Sequence, residues 1–372
     1  MSEKHNYDIG ILTFWNVPNY GTFAQAYALQ KVLSNLFPER EVLQIAYLNK
    51  HHYDNYYSPY PRYAPWHKAF YKEFFKRVNP FSQYSKRKEM FLRSYSVIPH
   101  TDKMRKEDFS ITTFDKVVLG SDIVWDYSFR MFDNDPFLFG VGINAKELIS
   151  YAASFGTVKF GYNLPEYVKA GLRRIKRISV RDKNSASIVK SEIGNEAEIV
   201  LDPTWLWDFS NDPNVVKPKQ EEYMIVYGQD FSNERIQEII DYAKENKLML
   251  ISLDCSDDKY SWCDLMIKQS EMSPFEWIGY FKYAKIIATT TFHGITFSLI
   301  FNKRFAFCKT KFIMDKAGDF LNEIGLFNLF NNENTISAMI DYDWNYNYIN
   351  KVIEEKREKS YAFLLNSLGS CK

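Results

Sequence analysis

Cysteine is scarce in this chain: four in 372 residues, at Cys255, Cys263, Cys308 and Cys371. No two stand in C-x-x-C spacing, so the pattern offers no zinc site. So few in so long a chain do not make a disulfide framework either. An excess of charge is also missing. The chain has 47 Lys and Arg against 46 Asp and Glu, a formal net charge of +1. That argues against a general nucleic-acid binder, which is usually strongly basic. Met1-Ser2-Glu3-Lys4-His5 leads into Asp8 without the apolar core of a signal peptide. No run of about eighteen apolar residues occurs, so no transmembrane helix is expected. These absences together read as a cytoplasmic, soluble chain. No G-x-G-x-x-G, P-loop, Ser/His/Asp spacing or metal-ligand motif is evident.

What is present is enough apolar material for large cores: 46% hydrophobic residues, with 26 Tyr and 30 Phe. The length makes two domains the prior. Many of the aromatics belong in cores, and the excess leaves some for sugar stacking or interfacial surfaces.

The chain opens with an apolar strand at Tyr7–Phe14, a turn rich in Asn, Pro and Gly, a helix from Phe23 to Leu33 and a second strand at Glu41–Tyr47. Strand, helix and strand in so short a span make a βαβ unit and hence a parallel sheet, whose ligands bind beyond the carboxyl ends of the strands. The turn Asn19-Tyr20-Gly21-Thr22 lies at such an end. Residues 51–110 change character. His51–Tyr57 and Tyr60–Pro65 read as aromatic and irregular, and a helix follows at 66–78. That helix sets Trp66, Phe70, Phe74 and Tyr71, Phe75, Val78 at helical spacings, with Lys68, Lys72, Lys76 and Arg77 elsewhere around it. It suits either an anionic membrane surface or ordinary docking on the core.

The α/β pattern resumes with strands ending at Gly120-Ser121-Asp122, Ser154-Phe155-Gly156, Arg181-Asp182 and Asp202-Pro203-Thr204. Each is an apolar run followed by polar residues where a ligand would sit. The stretch from Pro203 to Pro218 reads as an interdomain linker. Beyond it, strands are expected at Tyr223–Gly228, Leu248–Leu253, Ile286–Ala288 and Arg304–Phe307, with helices at Asn233–Glu245, Pro274–Tyr283 and 345–372. The domains are therefore 1–210, with an aromatic-rich insertion at 51–110, then 219–344, then a terminal helix at 345–372 docked on the core.

Thr289-Thr290-Thr291-Phe292-His293-Gly294 joins a buried strand to a buried helix. The N–H groups and positive dipole end of such a helix start suit a phosphate or carboxylate. His293, the only histidine beyond position 100, can bond a phosphate or move a proton near neutral pH; it can equally be a capping or core residue. Arg181 at a strand end offers a planar fork for a carboxylate or phosphate, or it forms a structural salt bridge with Asp182 or another neighbour. Ser121 and Asp122 can contact a ligand or cap the following helix. Asp202-Pro203 reads as a turn before it reads as a general base.

Taken in order, these segments resemble the polysaccharide pyruvyl transferases. The matching elements are Gly10–Phe14, Asn19-Tyr20-Gly21, Gln25–Gln30, Gly120–Trp125, Tyr151–Gly156, Ser179–Asp182, Val200–Thr204 and Phe292–Ser298. Each is weak alone; the ordered set is specific. The resemblance implies an α/β fold of two Rossmann-like domains facing across a cleft, GT-B-like. It also implies transfer of a pyruvyl group from phosphoenolpyruvate to two hydroxyls of a glycan sugar, as a cyclic ketal. The sugar would be galactose-type or an N-acetylhexosamine, in cell-surface polysaccharide biosynthesis.

On this reading His293 and Arg181 bind phosphoenolpyruvate, with Asp122 and Asp182 as candidate bases. Asn19, Tyr20, Gly21, Ser121, Ser154, Thr291, Gly294 and Thr296 complete the substrate-binding set. No metal and no cofactor beyond the donor substrate is called for. The acceptor could ride on a polyprenyl diphosphate at the inner face of the cytoplasmic membrane, with residues 66–78 as the peripheral contact. Some relatives carry an arginine where this chain has Thr291; Lys268 or Lys303 is the expected substitute. Arg181→Ala and His293→Ala are each expected nearly to abolish transfer and to leave the fold intact. The alternative is a GT-B glycosyltransferase using a nucleotide sugar, and a third reading is a non-enzymatic scaffold for envelope-polymer assembly.

Overall fold

The computed structural model describes residues 5–61, 63–132, 134–254 and 258–369. The chain divides into two compact units, Met1–Trp207 with Lys356–Lys372, and Asp208–Glu355.

In unit 1 the elements run β1 (His5–Leu12), α1 (Tyr20–Leu36), β2 (Val42–Gln44), α2 (Lys50–Tyr56), α3 (Lys68–Val78), α4 (Gln83–Tyr95), β3 (Thr112–Leu119), β4 (Ala145–Ala153), α5 (Glu166–Arg174), β5 (Arg177–Val180), α6 (Lys183–Ile193) and β6 (Glu198–Ile199). The six strands form one parallel sheet in the order β2-β1-β3-β4-β5-β6. Apolar runs such as Val117-Val118-Leu119 are buried on both faces, as a parallel sheet covered by helices requires.

Unit 2 continues with β7 (Tyr223–Tyr227), α7 (Asn233–Glu245), β8 (Met249–Leu253), β9 (Leu265–Ile267), α8 (Pro274–Tyr283), β10 (Ile286–Thr289), α9 (Phe292–Ile300), β11 (Arg304–Phe307), α10 (Lys311–Glu323), α11 (Ile336–Ile340) and α12 (Tyr346–Leu368). Its parallel sheet has the order β11-β10-β7-β8-β9. Helices α8 and α9 pack through Trp277, Phe281 and Phe297, with ring centroids 5.1 Å apart for Trp277–Phe297 and 4.9 Å for Trp277–Phe281. Helix α12 starts in unit 2 and ends in unit 1.

The segment expected to be irregular after position 50 is partly helical. Asn49 caps α2 by accepting from the His52 N–H at 2.9 Å, and a good N-cap outweighs poor propensity over so short a helix. The strand expected through Ile199–Thr204 stops at Ile199. Asp202 caps a 3-10 turn at Pro203–Trp205, and the proline removes a ladder donor.

Candidate functional site

Each sheet reverses its order once. In unit 1 the reversal falls between β1 and β3, in unit 2 between β7 and β10. Ligands of open parallel sheets lodge at the carboxyl ends of the strands flanking such a reversal. Asn19, Tyr20, Gly21, Ser121, Asp122, Thr291, His293 and Gly294 follow strands that flank these reversals, whereas Ser154 follows β4 and Arg181 and Asp182 follow β5.

At the unit 1 edge, Asn19 caps α1 by accepting from the Thr22 N–H at 3.0 Å. Tyr20 and Gly21 turn inward and are buried. Ser121 has no exposed surface; its hydroxyl donates to Gln25 Oε1 at 2.5 Å and its carbonyl accepts from Thr13 Oγ1 at 3.1 Å. Gln25 Nε2 in turn donates to Thr13 Oγ1 at 3.1 Å. These contacts lock α1 to the ends of β1 and β3. Asp122 stays partly accessible, in a left-handed backbone conformation at φ 73°. One of its oxygens accepts from the Ile123 N–H at 2.8 Å, the other from Thr22 Oγ1 at 3.4 Å.

Arg181 comes to this edge from the end of β5. Its side chain is only 5% exposed and lies between two acids. Nη1 donates to Asp202 Oδ2 at 3.0 Å, and Nη2 is 3.7 Å from Asp122 Oδ1. Burial works against the charge on Arg181, but the carboxylates of Asp202, Asp122 and Asp182 outweigh it, so its pKa stands above the ordinary value. The salt bridge anticipated with Asp182 or another neighbour is made to Asp202 and Asp122. Asp182 is the N-cap of α6, accepting from the Ser185 N–H and the Ser154 hydroxyl, both at 2.7 Å. Ser154 is thereby held in the interior.

At the unit 2 edge, Thr289 and Thr291 build the turn. Thr289 Oγ1 donates to the Tyr227 carbonyl at 2.8 Å and accepts from the Thr291 N–H at 3.1 Å. Thr291 Oγ1 accepts from the Gly294 N–H at 2.9 Å and so caps α9. Thr291 thus has a local structural role, because its hydroxyl closes the helix start that an arginine would leave open. Gly294 is required by space, since a Cβ there would lie 2.0 Å from Thr289 Oγ1. Thr296 is buried one turn further on. His293 sits in the first turn of α9, partly accessible, with its ring edge-on to Phe292 at 5.2 Å.

Beside this turn lies a cavity of 410 Å³, lined by Tyr227, Gly228, Gln229, Asp230, Leu253, Asp254, Thr290, Thr291, Thr310 and Ile313. Asp230 and Asp254, each just past a strand end, were not singled out by the sequence reading. The signal was available: a polar residue after an apolar run, the same rule that selected Asp122. Among the described residues the lining is hydroxyls, amide and carboxylates, without a Lys or Arg. It suits the hydroxyls of a sugar better than a multiply charged anion.

The cations expected to stand in at Thr291 are placed differently. Ile286 pairs with Arg304, so Lys303 lies at the amino end of β10, near Lys285. Along α9 His293 stands seven residues before the helix end at Ile300, a rise of about 10 Å. Lys303 therefore cannot serve the turn. Lys268 follows β9, on the far edge of the sheet. Lys309, overlooked in the sequence, is exposed next to Cys308, whose N–H donates to the Thr289 carbonyl at 2.9 Å. Among the described residues no cluster of His, Cys, Asp or Glu is arranged to hold a metal. No helix among them is long and apolar enough to cross a membrane.

Two Rossmann-like parallel-sheet units, each with polar strand ends at its order reversal, define a GT-B-like α/β protein. Solved structures of this type are similar to it. A UDP-N-acetylglucosamine 2-epimerase matches with a TM-score of 0.51 at 10% identity, over 99% of this chain and 98% of its own. A Listeria monocytogenes protein assigned as a UDP-N-acetylglucosamine 2-epimerase matches with 0.50 at 8% identity, over 96% and 91%. The E. coli heptosyltransferase WaaC, solved with ADP, gives 0.39 at 9%, over 94% and 99%. At such identities the likeness is one of fold. No curated protein matches the chain in sequence. The polysaccharide pyruvyl transferase family matches residues 19–311, and the chain belongs to that family. It is accordingly a transferase, and its family implies a polysaccharide acceptor.

Proposed function

We propose that the protein transfers the pyruvyl group of phosphoenolpyruvate to two hydroxyls of a glycan sugar, forming a cyclic ketal. The acceptor is a galactose-type or N-acetylhexosamine residue in cell-surface polysaccharide biosynthesis. It is carried on polyprenyl diphosphate at the inner face of the cytoplasmic membrane. The observation that carries the reading is the family match across 19–311, joined to polar strand ends at both order reversals.

Phosphoenolpyruvate has a phosphate and a carboxylate. His293, in the first turn of α9, takes the phosphate with help from the helix dipole and is the first choice for the proton donor. Arg181, its fork fixed by Asp202, takes the carboxylate. Lys309 supplies the positive charge that Thr291 does not. A proton adds to the methylene carbon of phosphoenolpyruvate, and the adjacent carbon becomes electrophilic. One sugar hydroxyl attacks it and gives its proton to a base, for which Asp122 is preferred because Asp182 is occupied as a helix cap. The C–O bond to phosphate then breaks, a second hydroxyl attacks, and the ketal closes. One hydroxyl proton is balanced by the new methyl C–H and the other leaves with phosphate. Donors already aimed at the developing charge contribute much of the acceleration. The Asp230–Asp254 cavity serves the sugar hydroxyls.

The test is stoichiometric release of inorganic phosphate from phosphoenolpyruvate in the presence of an acceptor glycan. His293→Ala is expected to lower kcat by about a hundredfold or more. Near-normal turnover in that variant would remove His293 from the chemistry. Release of a nucleotide from a sugar nucleotide, with none of phosphate, would point to glycosyl transfer instead.

A further inference from the structure

Helix α3 turns three large apolar side chains to solvent. It has no buried side chain. Phe70 and Phe74 face inward, where Phe74 stacks on Tyr60 with ring centroids 6.0 Å apart. The adjoining face, at the i, i+4, i+7 positions Tyr71, Phe75 and Val78, looks into solvent. Phe75 is 63% exposed, and the flanking Trp66 and Phe81 are 88% and 80% exposed. An aromatic cluster of this kind on a solvent-facing surface marks a partner.

The charge around it identifies the partner. Lys68, Lys72 and Lys76 repeat every four residues, which places them about 100° round the helix from the Tyr71–Phe75 face. Between residues 60 and 93 the sequence has nine Lys or Arg against two acidic residues, in a chain whose net charge is +1. Protein interfaces are depleted in lysine, and single-stranded nucleic acid would ask for stacking rings along a groove. A ridge of Trp and Phe flanked by lysines is the composition of a helix lying in the headgroup layer of an anionic bilayer. An isolated helix of eleven residues would be marginal in water, but this one is held in place. Arg77 donates to the carbonyls of Asp54 at 2.8 Å and Ser58 at 3.0 Å. Next to it α4 anchors on the unit 1 core, with Phe91 against Tyr20 at 5.0 Å.

We infer that α3 and its flanks form a preformed docking ridge that seats unit 1 on an anionic membrane surface. Trp66, Phe75 and Phe81 enter the headgroup boundary, and Lys68 and Lys72 engage lipid phosphates. This extends the membrane-side placement of the acceptor, but it does not depend on the donor or on the chemistry.

The full-length protein is tested by flotation with vesicles of phosphatidylcholine containing about 30% phosphatidylglycerol, beside pure phosphatidylcholine vesicles. The wild type is expected to float with the anionic vesicles and to be released by high salt. Trp66→Ser combined with Phe75→Ser, and separately Lys68→Glu combined with Lys72→Glu, should each weaken binding by about tenfold or more. Phe327→Ser, at an exposed site in unit 2, should change nothing. All four substituted side chains on the ridge are exposed, so melting temperatures should be unchanged and loss of flotation reports the surface itself. Phosphate release with a soluble acceptor should be retained in both double variants, which separates this inference from the enzymatic one. Wild type that floats with neither vesicle, or a Trp66/Phe75 double variant that floats as well as wild type, overturns the proposal. So does capture of the wild type by single-stranded RNA in place of vesicles.

Discussion

Arg181 shows what a single residue can and cannot declare. Its type and its place at a strand end pointed to an anion. The structure adds that its guanidinium sits between Asp122 and Asp202, the latter 1% exposed. Removing one partner of a buried pair leaves the other charge uncompensated. Arg181→Ala is therefore expected to cost about 3–5 kcal/mol of stability, measured by urea unfolding, in addition to any loss of turnover. That revises the sequence-based expectation of an intact fold. Unfolding within about 1 kcal/mol of wild type would mean that Asp202 finds other donors. Gly294 decides a second contest. Alanine at a helical position is favoured over glycine by up to about 1 kcal/mol. Here its Cβ would press on Thr289 Oγ1, which the turn needs, and overpacking costs about 1–3 kcal/mol. Gly294→Ala should lower the melting temperature, and a raised one would show that the threonine turn yields.

At the scale of elements, β3 and β4 hold the end of α12. Lys116 is 1% exposed, and its ammonium donates to the carbonyl of Leu368 at 3.2 Å. Cations at a helix C-terminus are favoured by the dipole. Glu147 faces Lys116 across the ladder, 3.3 Å away, and also accepts from Lys176. The Lys176 bond, ahead of the Lys116 charge, holds the Glu147 carboxyl below its ordinary pKa of 4.5. A carboxyl depressed in the folded state stabilises above its unfolded pKa and loses that contribution as pH falls through the folded value. Glu147→Gln should therefore cost about 1.5–3 kcal/mol at neutral pH. The gap to wild type should close as pH falls below 4.5. A gap of constant size from pH 7 to pH 3 would contradict the ionic role of Glu147.

Much of this architecture was legible. The sequence-based bounds of α7 at Asn233–Glu245, α8 at Pro274–Tyr283 and β11 at Arg304–Phe307 coincide with the structure. Ser232 and Ser273 cap the two helices, and a proline opens α8. Helix α2 was not legible, because it rests on the Asn49 cap and on the packing of His52 against Phe14 and Phe132, which lie elsewhere in the chain. The candidate site was half legible. Strand ends announce themselves by a switch from apolar to polar residues, which gave Asp122, Arg181 and His293. The pairing of Arg181 with Asp202 was not announced, because it depends on two separated segments of the chain meeting beyond β5. Nor was the fate of Ser121, whose burial follows from Gln25 on a helix elsewhere in the chain.

At the scale of the whole molecule, the identity of the transferred group is the point on which everything turns. The protein is incubated with phosphoenolpyruvate labelled with carbon-13 in its three carbons and with a panel of galactose- and N-acetylhexosamine-terminated glycans. Products are read by mass spectrometry. The predicted result is a glycan that gains a labelled pyruvate ketal, with release of one phosphate and loss of two hydroxyl protons from the sugar. A glycan that gains a hexose from a sugar nucleotide, and never the label, would contradict the assignment.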